Sequence, residues 1–333
     1  MVTNIKLSCY RNAREKFIES VLKSIMRGIF ILLIMGGIHS IAERAILIGI
    51  DGFLTSCMKD TPNLNYLREQ GTSTLKARST IEGVSGPGWS SILCGQEPID
   101  TGVLDNDWKP FWKTKVRNPI TPISGDDPFL CVFEAVKKGT NHKLRTSAYF
   151  NWDWLVHLSD DIGFVDESVY VEDENLDGDI EITDRTVKAI NEKNFGFMFT
   201  YLGSLDNMGH AKKFCGPEYV EHITKIDALV GRILNALRQN NLIDSTVIVV
   251  TSDHGASPQT QTHGDDKDDN NLLVPFIVFG NGVKKGVEFE STVHIADASA
   301  TILHGLGIDI PKEWRGKPAK EAFYTHMRDA DLL

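Results

Sequence analysis

The sequence predicts an α/β fold: a mostly parallel central sheet with helices on both faces and a cap inserted at about 106–180. Three observations carry this expectation. Short, continuous apolar runs such as Ala45 to Ile50 (AILIGI) mark strands buried on both faces. Helical stretches separate those runs, and repeated strand–helix alternation gives a parallel sheet covered on both sides. The composition is that of a folded globular chain, with 41% hydrophobic and 24% charged residues among 333. It excludes a disordered chain or a repeat array. The formal charge of −10 leaves no basic stripe for a nucleic-acid backbone.

The elements follow in order. After the first strand, Thr61 and Pro62 offer an N-cap and a first-turn proline for a helix that runs to about Gln70 and stops at Gly71. Further strands are expected at Gly196 to Tyr201, Thr246 to Thr251 and Val274 to Phe279, with helices near 181–193, 217–239 and 296–305. The stretch 106–180 is Pro-, Trp- and Asp-rich with weak periodicity, and reads as the cap of a single catalytic domain spanning 43–333. Its Trp108, Trp112, Trp152 and Trp154 read mainly as packing for the cap, and Trp314 as structural.

Residues 1–42 read as a signal peptide, or an N-terminal membrane anchor, with an upstream extension. The apolar run Gly28 to Ile38 is short of the ~20 residues a membrane-spanning helix needs. A basic start at Arg27 and a small-residue exit before Glu43 fit a secretory signal. A buried N-terminal helix is the alternative. The expected location is secreted, periplasmic or extracellular. Cys57, Cys94, Cys131 and Cys215 remain after cleavage at Ala42, an even number that permits disulfides without fixing their pairing.

In open α/β sheets, chemistry gathers beyond the carboxyl ends of the strands. Three such loops carry acids and histidines: Asp51; Asp206 with His210, one helical turn apart; and Asp253 with His254, followed by His263. Aspartate and neutral histidine are ligands for zinc and similar divalent ions, and six candidates exceed one tetrahedral ion and suit two. The segment Val84 to Ser91 supplies a nucleophile. With Pro87 in the first turn of a helix toward Gly95, Ser85 falls in the loop at its amino end, where free N–H groups favour a phosphate.

These residues resemble the alkaline phosphatase superfamily, in its nucleotide pyrophosphatase/phosphodiesterase (type I phosphodiesterase) branch. The resemblance runs from ILIGIDG at 46–52 through TPNLNYLREQG, SGPGWSSILCG, DNMGH, TSDHG, THG and VPFIVFGNGV to IPKEWRGKP at 310–318. It implies an alkaline phosphatase-like sheet and two divalent metal ions, zinc with manganese as the alternative. Asp51, Ser85, Asp253 and His254 would hold one ion; Asp206, His210 and His263 the other. Ser85 would be the catalytic nucleophile that becomes phosphorylated. Trp89 follows Ser85-Gly86-Pro87-Gly88 where a sulfatase would carry arginine. Tyr201 stands where alkaline phosphatases proper place a third-site carboxylate, which leaves two ions. The family also uses an asparagine that steadies a phosphate oxygen, and none occurs between Ser85 and Gly95. The expected function is hydrolysis of small phosphate esters, phosphodiesters or nucleotide pyrophosphates first. The alternatives are a phosphomonoesterase, a phosphotransferase and a non-catalytic binding protein. The oligomeric state is not legible.

Overall fold

The computed structural model describes residues 42–110 and 130–324. The 28–38 apolar segment, Cys9 and Trp112 lie outside the described residues. Eight strands form one sheet: β1 (Arg44–Ile50), β2 (Thr72–Arg78), β3 (Thr146–Phe150), β4 (Glu167–Tyr170), β5 (Phe197–Leu202), β6 (Thr246–Thr251), β7 (Leu273–Gly280) and β8 (Val287–Glu288). Their order is β4-β3-β5-β1-β6-β7-β2-β8. All neighbours are parallel except β7, which runs antiparallel to β6 and β2. Pro275 cannot donate to the ladder from inside β7, and the β2 register shifts opposite it, between Thr74 and Ala77.

Among the described residues, seven helices of eight residues or more cover the sheet: α1 (Pro62–Glu69), α2 (Ser85–Cys94), α3 (Val132–Gly139), α4 (Leu176–Asn191), α5 (Ser204–Lys212), α6 (Pro217–Gln239) and α7 (Asp297–Gly305). The two-residue alternation of β1 divides the core. Ala45 and Leu47 pack with Ile92 of α2, Val136 of α3 and Ile302 of α7. Ile46, Ile48 and Ile50 pack with Leu67 of α1, Ile182 of α4 and Ile223 and Leu234 of α6. Each of these isoleucines is fully buried, worth roughly 1.5–3 kcal/mol relative to exposure. A strand covered on both faces has no polar side, which is why AILIGI shows no alternation.

Two local expectations need correction. Thr61 makes no side-chain cap for α1. Asp227 of α6 does so instead, accepting from the Asn63 N–H at 3.1 Å and the Leu64 N–H at 2.8 Å. The region 106–180 is not simply a cap, because β3 and β4 extend the sheet and α3 covers it. β3 escaped notice because its sequence, TSAYF, buries hydroxyl groups. The Thr146 hydroxyl is satisfied by the Phe164 carbonyl at 2.7 Å, so a polar residue sits in a strand covered on both faces.

Disulfides join Cys57 to Cys215 and Cys94 to Cys131. No helix among the described residues is long and apolar enough to cross a membrane.

Candidate active site

The three central strands, β5-β1-β6, end on the same side and deliver the acids. Asp51 follows β1, Asp253 and His254 follow β6, and α5 after β5 carries Asp206 and His210. Pro87 lies in the first turn of α2 as expected, but Ser85 is the helix's first residue rather than part of the loop before it. Its side chain therefore lies at the helix's amino end, with Oγ 3.1 Å from His254 Nε2.

Each carboxylate is held by one oxygen and leaves the other bare. Asp51 Oδ2 accepts from Trp89 Nε1–H at 2.8 Å and the Tyr201 hydroxyl at 2.6 Å. Asp253 Oδ1 accepts from the Gly52 N–H at 3.3 Å. Asp206 Oδ2 lies 3.2 Å from His210 Nε2. The opposite atoms, Asp51 Oδ1, Asp253 Oδ2 and Asp206 Oδ1, are buried without a hydrogen-bond partner. Such orphaned oxygens are costly unless something else satisfies them.

The histidines close the cluster. His254 Nε2 stands 3.5 Å from Asp51 Oδ1 and 3.3 Å from Asp253 Oδ2. The His263 ring stacks on His254 with centroids 4.0 Å apart, and its Nε2 is 3.1 Å from His210 Nε2. The other nitrogens face carbonyls: His254 Nδ1 is 2.8 Å from the Gly255 oxygen, and His263 Nδ1 3.1 Å from that of Gly83. This fixes each ring with Nε2 toward the acids, the arrangement a metal-ligating histidine needs. Two groups have ligand atoms all within 4.8 Å of one another: Asp51, Asp253 and His254; and Asp206, His254 and His263. His254 belongs to both by distance, whereas the sequence assigned it to one.

Electrostatics point the same way. Burial and then the Asp206 charge push Asp51 up to about 6. Burial and the Asp51 charge push Asp253 up further. Burial opposes the charged form of His254, but Asp253, Asp51 and Asp206 outweigh it and raise its pKa to about 9. Burial, aided by His254, lowers His263 to about 4. Acids so close together in a dry site resist ionising together, and bound cations would remove that conflict. The donor set of aspartate oxygens and histidine nitrogens therefore fits divalent metal ions.

Two glycines make the assembly possible. Gly52 has φ +63°, and a Cβ there would collide with the Asp206 carboxylate. At Gly49 in β1, a Cβ would run into the Trp89 ring, so the missing side chain lets the indole lie against the strand and reach Asp51. Trp89 is thus fully buried and works through Asp51. Tyr201, at the position where the resemblance would place a third-site carboxylate, donates a hydrogen bond to Asp51 instead.

A cavity of about 170 Å³ above the acids is lined by Ser85, Asp51, Asp206, His210, His263 and Asn106, among others. Asn106 lies beyond the end of α2, outside the stretch between Ser85 and Gly95 where the sequence holds no asparagine. Its Oδ1 accepts from the Gly86 N–H at 2.6 Å, which leaves the amide hydrogens as donors beside Ser85. The signal for it is faint: an asparagine in an exposed loop 21 residues beyond the serine. Of the tryptophans, Trp152 also lines the cavity, stacked on Trp154 at 5.1 Å. Trp314 is buried and donates to the Leu130 carbonyl at 2.9 Å.

A helix-covered sheet that gathers acids, histidines and a helix-terminal serine at its strand ends is an alkaline phosphatase-like arrangement. The chain belongs to the type I phosphodiesterase/nucleotide pyrophosphatase family, which it matches over residues 45–274. It is 24% identical to ectonucleotide pyrophosphatase/phosphodiesterase family member 7 of Rattus norvegicus, over 86% of this chain and 62% of the relative. A phosphopentomutase of Acetivibrio thermocellus is 32% identical over 43% of this chain and 33% of the mutase. The chain spans less than two thirds of the length of these curated relatives. Among solved structures, murine ectonucleotide pyrophosphatase/phosphodiesterase 5, an inactive T72A form in complex with AMP, superposes with TM-score 0.64 at 14% identity, over 85% of this chain and 100% of that one. A 2-O GAG sulfatase superposes with TM-score 0.65 at 12% identity, over 86% and 76%. Both likenesses are of fold.

Proposed function

We propose that the chain is a two-metal hydrolase of phosphate esters, with phosphodiesters or nucleotide pyrophosphates as substrates and Ser85 as nucleophile. The observation that carries this reading is the convergence of three orphaned carboxylate oxygens, of Asp51, Asp206 and Asp253, around His254, which also meets Ser85, at a cavity lined by Asp51, Asp206 and Ser85. Asp51, Asp253, His254 and Ser85 would hold one divalent ion, and Asp206, His210 and His263 the other. Bound there, zinc or manganese would supply the positive charge that an acidic protein lacks for an anionic substrate.

The chain's own groups do the rest. The Gly86 N–H of α2 holds the Asn106 side-chain oxygen, so that the Asn106 amide hydrogens face the phosphoryl oxygens and orient the phosphorus toward Ser85 Oγ. Ser85 gives up its hydroxyl proton as the Oγ–P bond forms and the P–O bond to the leaving alcohol or phosphate breaks; the leaving oxygen takes up a proton, and water then hydrolyses the phosphoserine ester to regenerate the serine hydroxyl. Trp89 and Tyr201 keep Asp51 turned toward the centre. A second reading, phosphoryl transfer to an acceptor other than water, is favoured by the likeness to a phosphopentomutase. The two disulfides support a secreted or periplasmic enzyme, since such bonds persist in oxidising compartments.

The test compares turnover of p-nitrophenyl phosphate, bis-p-nitrophenyl phosphate and the p-nitrophenyl ester of thymidine monophosphate by metal-loaded protein, with Ser85→Ala as control. Preference for the diesters supports the reading, and a further gain with the nucleotide ester points to nucleotides. Preference for the monoester moves the assignment to a phosphatase. Turnover that survives Ser85→Ala removes the serine mechanism.

A further inference from the structure

Beneath the cavity lies a buried polar cluster that the proposed chemistry does not use. Asp179 projects from α4 with no solvent exposure. Its Oδ1 accepts from Asn151 Nδ2–H at 2.9 Å and the Gly203 N–H at 3.0 Å. Its Oδ2 accepts from the Ser204 N–H at 3.3 Å and from the Ser204 hydroxyl. That hydroxyl oxygen also lies 2.7 Å from Nε2 of His222, a buried residue of α6. One carboxylate thereby ties the residue after β3 to the start of α5 and, through the Ser204 hydroxyl, to the second turn of α6.

The start of α5 is where this matters. The residue before the helix is Gly203, and no side chain of its own caps the first turn. Asp179 supplies the missing acceptor from a different helix, at the amino end of α5. Asp206 and His210 sit in the first two turns of that helix, and Asp206 begins only two residues after the last N–H that Asp179 holds. The ligands of the other ion, on β1, α2 and the loop after β6, have no bond to this cluster. Asn151 is fixed by the same carboxylate: its remaining amide hydrogen goes to the Asp173 carbonyl at 3.0 Å, and its side chain lines the cavity.

We propose that Asp179 is a positioning residue for one half of the centre: by clamping the first turn of α5 it sets where Asp206 and His210 stand relative to Asp51, Asp253 and His254. The inference rests on the two-metal reading, and its effect is selective. Loosening the clamp weakens the Asp206–His210–His263 site and spares its neighbour. The substitution Asp179→Asn keeps the size but turns an N–H group toward donors, so the clamp fails without a cavity.

The experiment is a zinc titration of the metal-free full chain by calorimetry, for wild type and Asp179→Asn, alongside thermal midpoints of both metal-free proteins. The expected result is two ions bound by wild type, and in the variant one site unchanged within threefold and the other weakened 10–100-fold. Turnover at saturating zinc should return to within a few-fold of wild type, with the zinc concentration for half activity raised to match. Ser204→Ala, which removes the hydroxyl's contacts to Asp179 and His222 and leaves the backbone N–H bonds to Asp179 in place, gives the same selective loss on a smaller scale if Asp179→Asn does not fold. Equal weakening of both sites, or neither, in the folded variants overturns the inference. A wild-type protein that binds no ions overturns the two-metal reading itself.

Discussion

Replacing Tyr201 by phenylalanine removes one oxygen from the protein and nothing from the proposed metal ligands. The ring would stay where it is, edge-on to Trp89 at 5.1 Å and against Phe199. What disappears is the 2.6 Å bond to Asp51 Oδ2. Burial, then the Asp51 charge, push the Tyr201 hydroxyl well above the usual phenol range, so in wild type it remains a donor at every working pH. A hydrogen bond to a charged group contributes about 1.5–3 kcal/mol. Trp89 still holds the same oxygen at 2.8 Å, so the loss should fall at the lower end. At 1.4 kcal/mol per factor of ten, zinc affinity of the Asp51 site should drop roughly tenfold. The direction with pH follows. Tyr201 favours the ionised form of Asp51, whose pKa is already about 6, and without it protons compete longer, so metal uptake moves to higher pH. Competition with a chromophoric chelator across pH 5–8 measures both effects. Zinc affinity within twofold of wild type, with an unshifted pH profile, would refute the idea that Tyr201 tunes this ligand.

Other outcomes follow from the same geometry. Asn106→Ala should lower kcat by about 10²–10³ while zinc binding stays unchanged, as expected for a donor to the transferring group; steady-state kinetics with a diester and a zinc titration separate the two. Reducing the Cys57–Cys215 bond releases a loop with a sequence separation of 158, worth about 3–5 kcal/mol. Reductant should accordingly lower the thermal midpoint by roughly 10 °C in calorimetry. His222→Gln should change how stability depends on pH. Burial lowers His222 to about 4, so the unfolded chain binds its proton more readily and stability rises with pH between about 4 and 6.5. Burial raises Asp179 to about 7, so there the folded chain holds the proton and stability falls as pH rises from about 4 to 7. The two largely cancel in wild type. Without His222 the Asp179 slope stands alone, and thermal midpoints should fall relative to wild type as pH is raised from 5 to 6.5.

The sheet's centre was legible because its strands are apolar from end to end: β1, β6 and β7 appear within a residue or so of their expected limits. β2 and β3 were not. TSTLKAR and TSAYF contain hydroxyl and charged side chains whose partners come from distant segments, and no local pattern announces them. The site divides in the same way. Its seven candidate residues sit in short strand-following motifs, and the structure brings all seven to one place. Asn106 and Asp179 act through contacts with residues 20 or more positions away, as Asp227 does in capping α1. A helix cap supplied by another helix leaves only an unremarkable aspartate in the sequence.

The bare position at Gly49 has a bearing on how this protein can drift. An alanine there removes no ligand and meets no substrate, yet it forces the Trp89 indole off β1 and slackens Asp51. Core positions usually tolerate exchanges that conserve volume. Here the interior is answerable to charge placement as well as to packing. A descendant that kept every candidate ligand and stayed folded could still lose the placement of Asp51 through one added methyl group, so an intact set of such residues would not by itself certify a working site.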